Sequence, residues 1–425
     1  MARIAVIGTG YVGLTTGACF AHLGHEVVCA DIDEEKVARL QRGEIPIVER
    51  NLDKVVHEGI ASGNLRFVVG ATEASKDCDF HYLCVPTPQG DDGSADLSYL
   101  EAAAAEIAPV LPNNSVVVNK STVPVGSTGL VARVIGRSDI AVVSNPEFLR
   151  EGSAVDDFLK PDRVVIGARD QEAAIKVAGL YAKVHAPLMV TDPISAETIK
   201  YASNAFLASK LSFVNAIANL CEAVGADVND VVLGMGYDKR IGKEFLRPGP
   251  GWGGSCFPKD TIALARIAED HGYDFSYLRE VLRVNDEQFD RTARKVLDVL
   301  GNDPAGRKVA VWGLTFKAGT DDLRQSPAIE VAKRVAEAGA QIRAYDPVTN
   351  HQIDEVPDME VVGDPYAAAE GAEVLVVLTE WDEFRWLDFD KVAEGMAGLN
   401  IVDARNILER SQLERRGFNY RGIGR

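Results

Sequence analysis

The chain has 425 residues, 46% hydrophobic and 25% charged, a globular balance in a length that predicts two or three domains. Its 45 Lys and Arg against 63 Asp and Glu leave a net charge of −18. Such acidity argues against nucleic acid and anionic membrane surfaces as partners, since both are anionic themselves, yet it admits a small anionic ligand held by a local cluster of cations and amides.

The first predicted elements are a strand, "RIAVIG", a glycine turn, an apolar helix to about Leu23 and a second strand, "EVVCAD". The turn Gly8-Thr9-Gly10-Tyr11-Val12-Gly13 is a G-x-G-x-x-G between strand and helix. Glycine there allows a tight turn and close backbone approach to a pyrophosphate, and the helix N-terminus offers unpaired amides to phosphate. Asp31 ends the next strand, 18 residues after Gly13, where a carboxylate binds ribose hydroxyls and repels a 2′-phosphate. The cofactor reading is therefore NAD rather than NADP. On the turn alone FAD stays a competitor, and glycines that only pack are the bland alternative.

Short apolar runs recur at "FHYLCV", "SVVVNK", "IAVVSN" and "DRVVIG", with helical stretches such as "YLEAAAAEIAPVL" between several of them. Buried β-branched runs alternating with helices predict a doubly wound, mostly parallel sheet. "VPTP", "KSTVPVG" and "NPEFLREG" follow such strands, at the end where open α/β sheets bind ligands. Glu147 and Glu151 lie in the last of these, which reads equally as a capped loop entering a helix.

From Pro193 to Val224 no glycine or proline interrupts the sequence, Asp192 is a predicted N-cap and Gly225 a terminator. Such a helix spans roughly 48 Å and connects domains or lines a subunit interface. Lys200 and Asn204 sit one turn apart on it among small and apolar neighbours, either as a solvated patch or as a partly buried functional face. Further helix follows to about Leu300, around the loop "GPGWGGSCFPKD". A third region restarts the alternation: strands "RKVAVWG", "QIRAYDP", "AEVLVVLTE" and "NIVDARN", with a helix opened by Ser326–Pro327 and closed by Gly339.

Six cysteines (Cys19, Cys29, Cys78, Cys84, Cys221, Cys256) lie scattered with no C-x-x-C pair, which predicts reduced thiols, no structural zinc or other metal, and a cytoplasmic protein. No apolar run nears the roughly 20 residues of a membrane span, and the N-terminus lacks a signal-type pattern. Cys256 differs from the other five, because its glycine-rich loop offers no apolar element to bury it and no partner ligands. It reads as a nucleophile: "TIALARIA" after Asp260 predicts a helix whose N-terminus, with Lys259, favours thiolate. Asp260 would orient water or the lysine, since a carboxylate raises a thiol pKa. An NAD domain with a nucleophilic cysteine suits oxidation of an alcohol through the aldehyde to an acid.

The motifs "IAVIGTGYVGL", "VPTP", "STVPVG", "NPEFLREGSAVDDFLKPDRVVIG", "AETIKYASNAF", "GWGGSCFPKD" and "FKAGTDDLRQSP" together resemble the UDP-glucose/GDP-mannose dehydrogenase family over essentially the whole chain. The resemblance implies two successive NAD-dependent oxidations of UDP-glucose at C6, giving UDP-glucuronate. It implies Cys256 as the nucleophile of a thiohemiacetal and thioester, Lys200 and Asn204 as holders of the C6 oxyanion, Asp260 as an aid to water and proton transfer, and Glu147 and Thr122 in general acid–base steps. NAD would contact Gly8, Gly10, Tyr11, Val12, Gly13, Asp31, Lys36, Thr87, Thr122, Glu151, Lys259 and Arg324. The nucleotide sugar would lie against Glu147, Phe148, Leu149, Arg150, Glu151, Lys200, Asn204, the run Phe245, Leu246, Arg247, Pro248 and Gly249, and Gly253 and Lys317; Arg240 would reach it, often from a partner subunit. The implied architecture is two Rossmann-like doubly wound domains joined by a long central helix and a helical middle domain: residues 1–191 for NAD, 192–300 with the dimerisation helix and the cysteine loop, and 301–425 for the UDP-sugar, in a homodimer. Alternatives are a relative that oxidises GDP-mannose or a UDP-N-acetylhexosamine, a two-electron hydroxy-acid dehydrogenase, and a non-catalytic NAD-binding redox sensor.

Overall fold

The β-branched runs read as strands from the sequence form strands, and most of these strands are parallel. The structure, a computed structural model, describes residues 1–90, 93–301 and 303–425. The chain divides into two units, residues 1–203 with 262–273 and residues 204–261 with 274–425.

The first unit is built on β1 (Arg3–Ile7), β2 (Glu26–Asp31), β3 (Leu65–Val69), β4 (Phe80–Leu83), β5 (Val116–Asn119), β6 (Ala141–Ser144), β7 (Val164–Gly167) and β8 (Leu188–Thr191), in the order β3-β2-β1-β4-β5-β6-β7-β8. All neighbours are parallel except β6 and β7, which run antiparallel. Side chains alternate between two buried faces: Ile4 and Val6 join Leu14, Ala18 and Phe20, while Ala5 and Ile7 join Leu100, Ala104 and Val117. Strand order reverses between β1 and β4, which sets the crevice at their carboxyl ends. Two strands, β3 and β8, carry weak sequence signals. β3 is short with alternate residues exposed, and Leu188, Met189 and Val190 of the edge strand β8 are all exposed.

In the second unit β9 (Lys308–Trp312), β10 (Gln341–Tyr345), β11 (Glu360–Val361), β12 (Val374–Val377), β13 (Asn400–Asp403) and β14 (Asn419–Gly422) form a parallel sheet in the order β11-β10-β9-β12-β13-β14. Helices Ser276–Leu300 and Pro327–Glu337 cover one face, where Phe289, Val296 and Ile329 meet Val309 and Val311. Trp312 fills the other face beside Phe384 and Phe389, and its indole N–H donates to the Pro365 carbonyl at 3.0 Å. The two expected doubly wound sheets are both present.

The long helix runs Pro193–Val224, as its uninterrupted sequence predicts. Asp192 caps it, accepting the Ser195 amide at 2.9 Å and the Ser195 hydroxyl at 2.6 Å, and Gly225 ends it at φ +76°. Among the described residues no helix is long and apolar enough to cross a membrane.

Candidate active site

In the first unit the glycines of the turn meet distinct steric demands. Gly8 has φ +94°, and a Cβ there would stand 2.6 Å from the Cys84 carbonyl oxygen; a Cβ on Gly13 would stand 1.9 Å from the Gly8 carbonyl oxygen. At Gly10 a Cβ would meet open space, so glycine leaves the approach to helix Tyr11–His22 clear, and no side chain caps that helix. Helix N-terminal amides facing open space form an anion cradle. Asp31 lies beside it at the end of β2. Its Oδ2 accepts the Thr9 amide at 2.9 Å, the Thr9 hydroxyl at 2.6 Å and Lys36 Nζ at 3.0 Å. Burial would raise the pKa of this carboxyl, but the Thr9, Lys36 and Asp33 contacts outweigh it and hold the group down to about 2. The residues fit a pyrophosphate and a ribose with free hydroxyls.

The loops after β4, β5 and β6 are tied together. Ser121 Oγ donates to the Val85 carbonyl at 2.6 Å, and Thr87 Oγ1 donates to the Thr122 carbonyl at 2.9 Å. Glu147 is buried; its Oε2 accepts the Leu149 amide at 2.6 Å and its Oε1 accepts Lys200 Nζ at 2.7 Å. Burial pushes the Glu147 pKa up, but the Lys200 charge and hydrogen bond, the Leu149 amide and the Lys120 charge together hold it below the usual carboxylate range. Lys200 is therefore buried and paired rather than solvated. Phe148 lies under both cations, 3.6 Å from the Arg163 guanidinium and 5.5 Å from Lys200 Nζ. Arg150 is largely exposed and makes a forked pair with Asp157 at 3.0 and 2.6 Å.

In the second unit Cys256 is half-buried and immediately precedes helix Phe257–Asp270, and its carbonyl accepts the Asp260 amide at 2.9 Å. The thiol thus stands at a helix N-terminus, 3.5 Å from the Ser255 hydroxyl. Asp260, one turn on, is wholly buried: Asn204 Nδ2 donates to its Oδ2 at 2.6 Å, and Lys259 Nζ lies 2.9 Å from its Oδ1. The glycine loop is held by amide side chains on two helices. Asn215 Oδ1 accepts the Gly249 amide, Gln288 Nε2 donates to the Gly249 carbonyl, and Asn285 both accepts the Trp252 amide and donates to its carbonyl, all at 2.8 Å. A Cβ on Gly251 would enter the Phe289 ring at 2.2 Å, and one on Gly253 would lie 1.9 Å from the Gln325 carbonyl oxygen. Close contacts therefore leave no room for a side chain at Gly251 or Gly253.

The comparisons with known proteins agree with this geometry. Three models of the UDP-glucose/GDP-mannose dehydrogenase family match in succession: its NAD binding domain over residues 2–185, its central domain over 194–287 and its UDP binding domain over 310–410. This chain belongs to the UDP-glucose/GDP-mannose dehydrogenase family. A UDP-glucose 6-dehydrogenase of Rhizobium meliloti is 47% identical, covering 100% of this chain and 99% of its own, and one of Pseudomonas aeruginosa is 44% identical, covering 100% and 97%. Among solved structures, a UDP-glucose dehydrogenase from Pyrobaculum islandicum is 40% identical with a TM-score of 0.90, covering 100% and 98%. A UDP-D-ManNAc dehydrogenase from Pyrococcus horikoshii is 29% identical with a TM-score of 0.89, covering 100% and 99%.

The cations that the family resemblance singles out are engaged locally. Arg240 is exposed and paired with Asp238 at 2.6 Å, Arg324 is paired with Asp322 at 2.7 Å, and Lys317 Nζ lies 5.4 Å from the Phe316 ring. Phe245 adopts φ +60°, beside the buried Leu246, Pro248 and Gly249 and the exposed Arg247. Sequence reasoning missed three supports of this family site. Glu49 is buried and gathers the Tyr11 hydroxyl, the Gly152 amide at 2.6 Å and the Ala154 amide at 3.0 Å. Glu197 accepts the Gly126 amide at 2.6 Å, the Thr128 amide at 2.8 Å and the Thr128 hydroxyl at 2.6 Å, so it ties the long helix to the end of the Lys120–Gly126 segment. Asn215, Asn285 and Gln288 are the third. Their only sequence signal is an amide interrupting the apolar face of a helix.

Proposed function

We propose that this chain catalyses the NAD-dependent, four-electron oxidation of UDP-glucose to UDP-glucuronate through a thiohemiacetal and a thioester on Cys256. One observation carries the reading: the Cys256 thiol stands at a helix N-terminus one turn from a wholly buried carboxylate, Asp260, held by Asn204 and Lys259.

NAD, when bound, supplies the hydride acceptor for both oxidations. Gly8, Gly10, Tyr11, Val12 and Gly13 are the proposed cradle of its pyrophosphate, and Asp31 with Lys36 the ribose site; Thr87, Thr122, Glu151, Lys259 and Arg324 complete the proposed set. In the first stage Glu147 and Thr122 assist removal of the C6 hydroxyl proton as the C6 hydride leaves, giving the aldehyde. Lys200 donates to the C6 oxygen, and Asn204, with one N–H given to Asp260, offers its second. In the second stage the Cys256 thiolate adds to the aldehyde carbon, and loss of the remaining C6 hydride leaves a thioester. Water ordered by Asp260 then attacks the acyl carbon, and the thiolate departs.

Phe148, Leu149, Arg150, Arg240, the Phe245–Gly249 run, Gly253 and Lys317 are the proposed contacts of the nucleotide sugar. The proposed domain limits are 1–191, 192–300 and 301–425. A homodimer is proposed through the long helix, where Phe206, Phe213 and Leu220 recur every seven residues while 66%, 52% and 55% exposed. A reducing, cytoplasmic setting suits six cysteines that form no disulfide.

The test is stoichiometry. Two NADH per UDP-glucose are expected, one NADH would indicate a two-electron dehydrogenase, and none a binding protein. Cys256→Ser is expected to form no acid while binding NAD as the wild type does; acid formation at the wild-type rate would refute the mechanism. The solved UDP-D-ManNAc dehydrogenase motivates a second reading, a different nucleotide sugar, which kcat/KM measured side by side on UDP-glucose, UDP-N-acetylhexosamines and GDP-mannose decides.

A further inference from the structure

Six strands of the first sheet stand in the order β3-β2-β1-β4-β5-β6, and the whole second sheet repeats it as β11-β10-β9-β12-β13-β14. The turns after β1 and β9 match as well. Gly8 and Gly313 have φ +94° and +91°, and their amides donate at 2.8 Å to the Ala30 and Tyr345 carbonyls. The next residue is an acid in both cases, and it binds the turn. Asp31 takes the Thr9 amide and hydroxyl on Oδ2 and the Asp33 amide on Oδ1. On its Oδ2, Asp346 takes the Leu314 amide at 2.7 Å, the Thr315 amide at 3.1 Å and the Thr315 hydroxyl at 3.3 Å. Its Oδ1 takes the Val348 amide at 3.0 Å.

The two acids differ in what completes Oδ2. At the half-buried Asp31 it is Lys36, whose flexible chain can give way to a ribose. At the buried Asp346 it is the Trp381 indole N–H, at 3.3 Å. A ligand has no access there, so the bonds of Asp346 serve the turn. Ser326 Oγ donates to the Leu314 carbonyl and Thr379 Oγ1 to the Thr315 carbonyl, both at 2.6 Å. The Phe316 amide donates to the Asp322 carbonyl at 3.2 Å, and its own carbonyl accepts Arg405 at 3.1 Å. Its ring closes on Gly254, where a Cβ would stand 2.8 Å away. With the peptide groups of Leu314, Thr315 and Phe316 all held, the chain leaves β9 in one direction, and Lys317 is the next residue. In the first unit a helix starting at Tyr11 offers its amides to phosphate. In the second the next helix starts only at Pro327, with Ser326 as its cap, so this end of the sheet presents a lysine instead.

We propose that Asp346 is a positioning residue of the nucleotide-sugar site, which fixes the turn after β9 so that Lys317 meets the diphosphate. This rests on the reading that Lys317 contacts the nucleotide sugar.

Binding of UDP, followed by titration calorimetry in the absence of NAD, tests the proposal. Asp346→Asn turns an N–H toward one of the donors it must accept, and its Kd for UDP is expected to rise about tenfold. Lys317→Met is expected to lose about as much, and the double variant no more than Lys317→Met alone, because the acid acts through the lysine. Losses that multiply to about a hundredfold would mark Asp346 as a general structural residue and overturn the proposal, as would a wild-type Kd in Asp346→Asn. Should Asp346→Asn not fold, Thr315→Val, which removes one donor and keeps the shape, takes its place in the same cycle. A wild-type protein that binds no UDP overturns the proposed function and this proposal with it. Wild-type binding with multiplied losses overturns this proposal alone.

Discussion

Gly253→Ala tests whether the cysteine loop is held by packing. The new Cβ would stand 1.9 Å from the Gln325 carbonyl oxygen and 3.0 Å from Pro327 Cδ, so a normal contact requires about 1.5 Å of separation. The carbonyl cannot simply retreat. Gln325 is a non-glycine residue at φ +47°, and Ser326 next to it donates to the Leu314 carbonyl at 2.6 Å and caps helix Pro327–Glu337 through the Ala328 amide. Overpacking of about 1–3 kcal/mol and a disturbed cap of about 1 kcal/mol sum to roughly 2–4 kcal/mol. Cys256 lies three residues along the same loop, and a reacting group displaced by about 1 Å loses roughly 100-fold in rate. Urea unfolding and steady-state NADH formation with UDP-glucose read the two effects. Gly234→Ala is the control, since its Cβ would meet nothing within 4 Å. A Gly253→Ala protein with wild-type midpoint and kcat would refute the reasoning.

Asp31→Asn removes the charge facing a 2′-phosphate, and the kcat/KM preference for NAD over NADP is expected to fall by about tenfold, the equivalent of ~1.4 kcal/mol; an unchanged ratio counts against the ribose assignment. Glu147→Gln leaves Lys200 buried without its counter-charge and is expected to cost about 3–5 kcal/mol at neutral pH. Because the native Glu147 pKa lies below its unfolded value of 4.5, its stabilisation is present above that value and lost as pH falls through the native one. The gap between wild type and Glu147→Gln in urea midpoint should therefore close in acid, and a gap constant with pH would contradict the sign. Phe213→Glu puts a carboxylate in the middle of the exposed stripe of the long helix and is expected to shift sedimentation from dimer to monomer; a wild-type sedimentation coefficient would remove the stripe as the interface.

What the sequence determined by itself is what depends on near neighbours along the chain. The strand runs, the glycine turn with Asp31, and the long helix with Asp192 and Gly225 at its ends were all legible, because periodicity, caps and positive φ are local properties. Edge strands escaped for the same reason: β8 exposes its apolar residues and β11 has only two residues, so neither leaves a pattern. The tertiary structure alone decided the partners. Glu147 meets Lys200 across 53 residues of sequence, Asn204 meets Asp260 across 56, and Glu197 meets Thr128 across 69. A carboxylate and a cation so far apart in sequence look like surface residues one at a time, and burial turns them into an obligatory pair, since neither tolerates a dry interior alone. The loop "GPGWGGSCFPKD" shows the same division. Its glycines were visible as a loop with no apolar element, but only the positions of Phe289 and the Gln325 carbonyl reveal close contacts at Gly251 and Gly253, just before a thiol at the head of a helix.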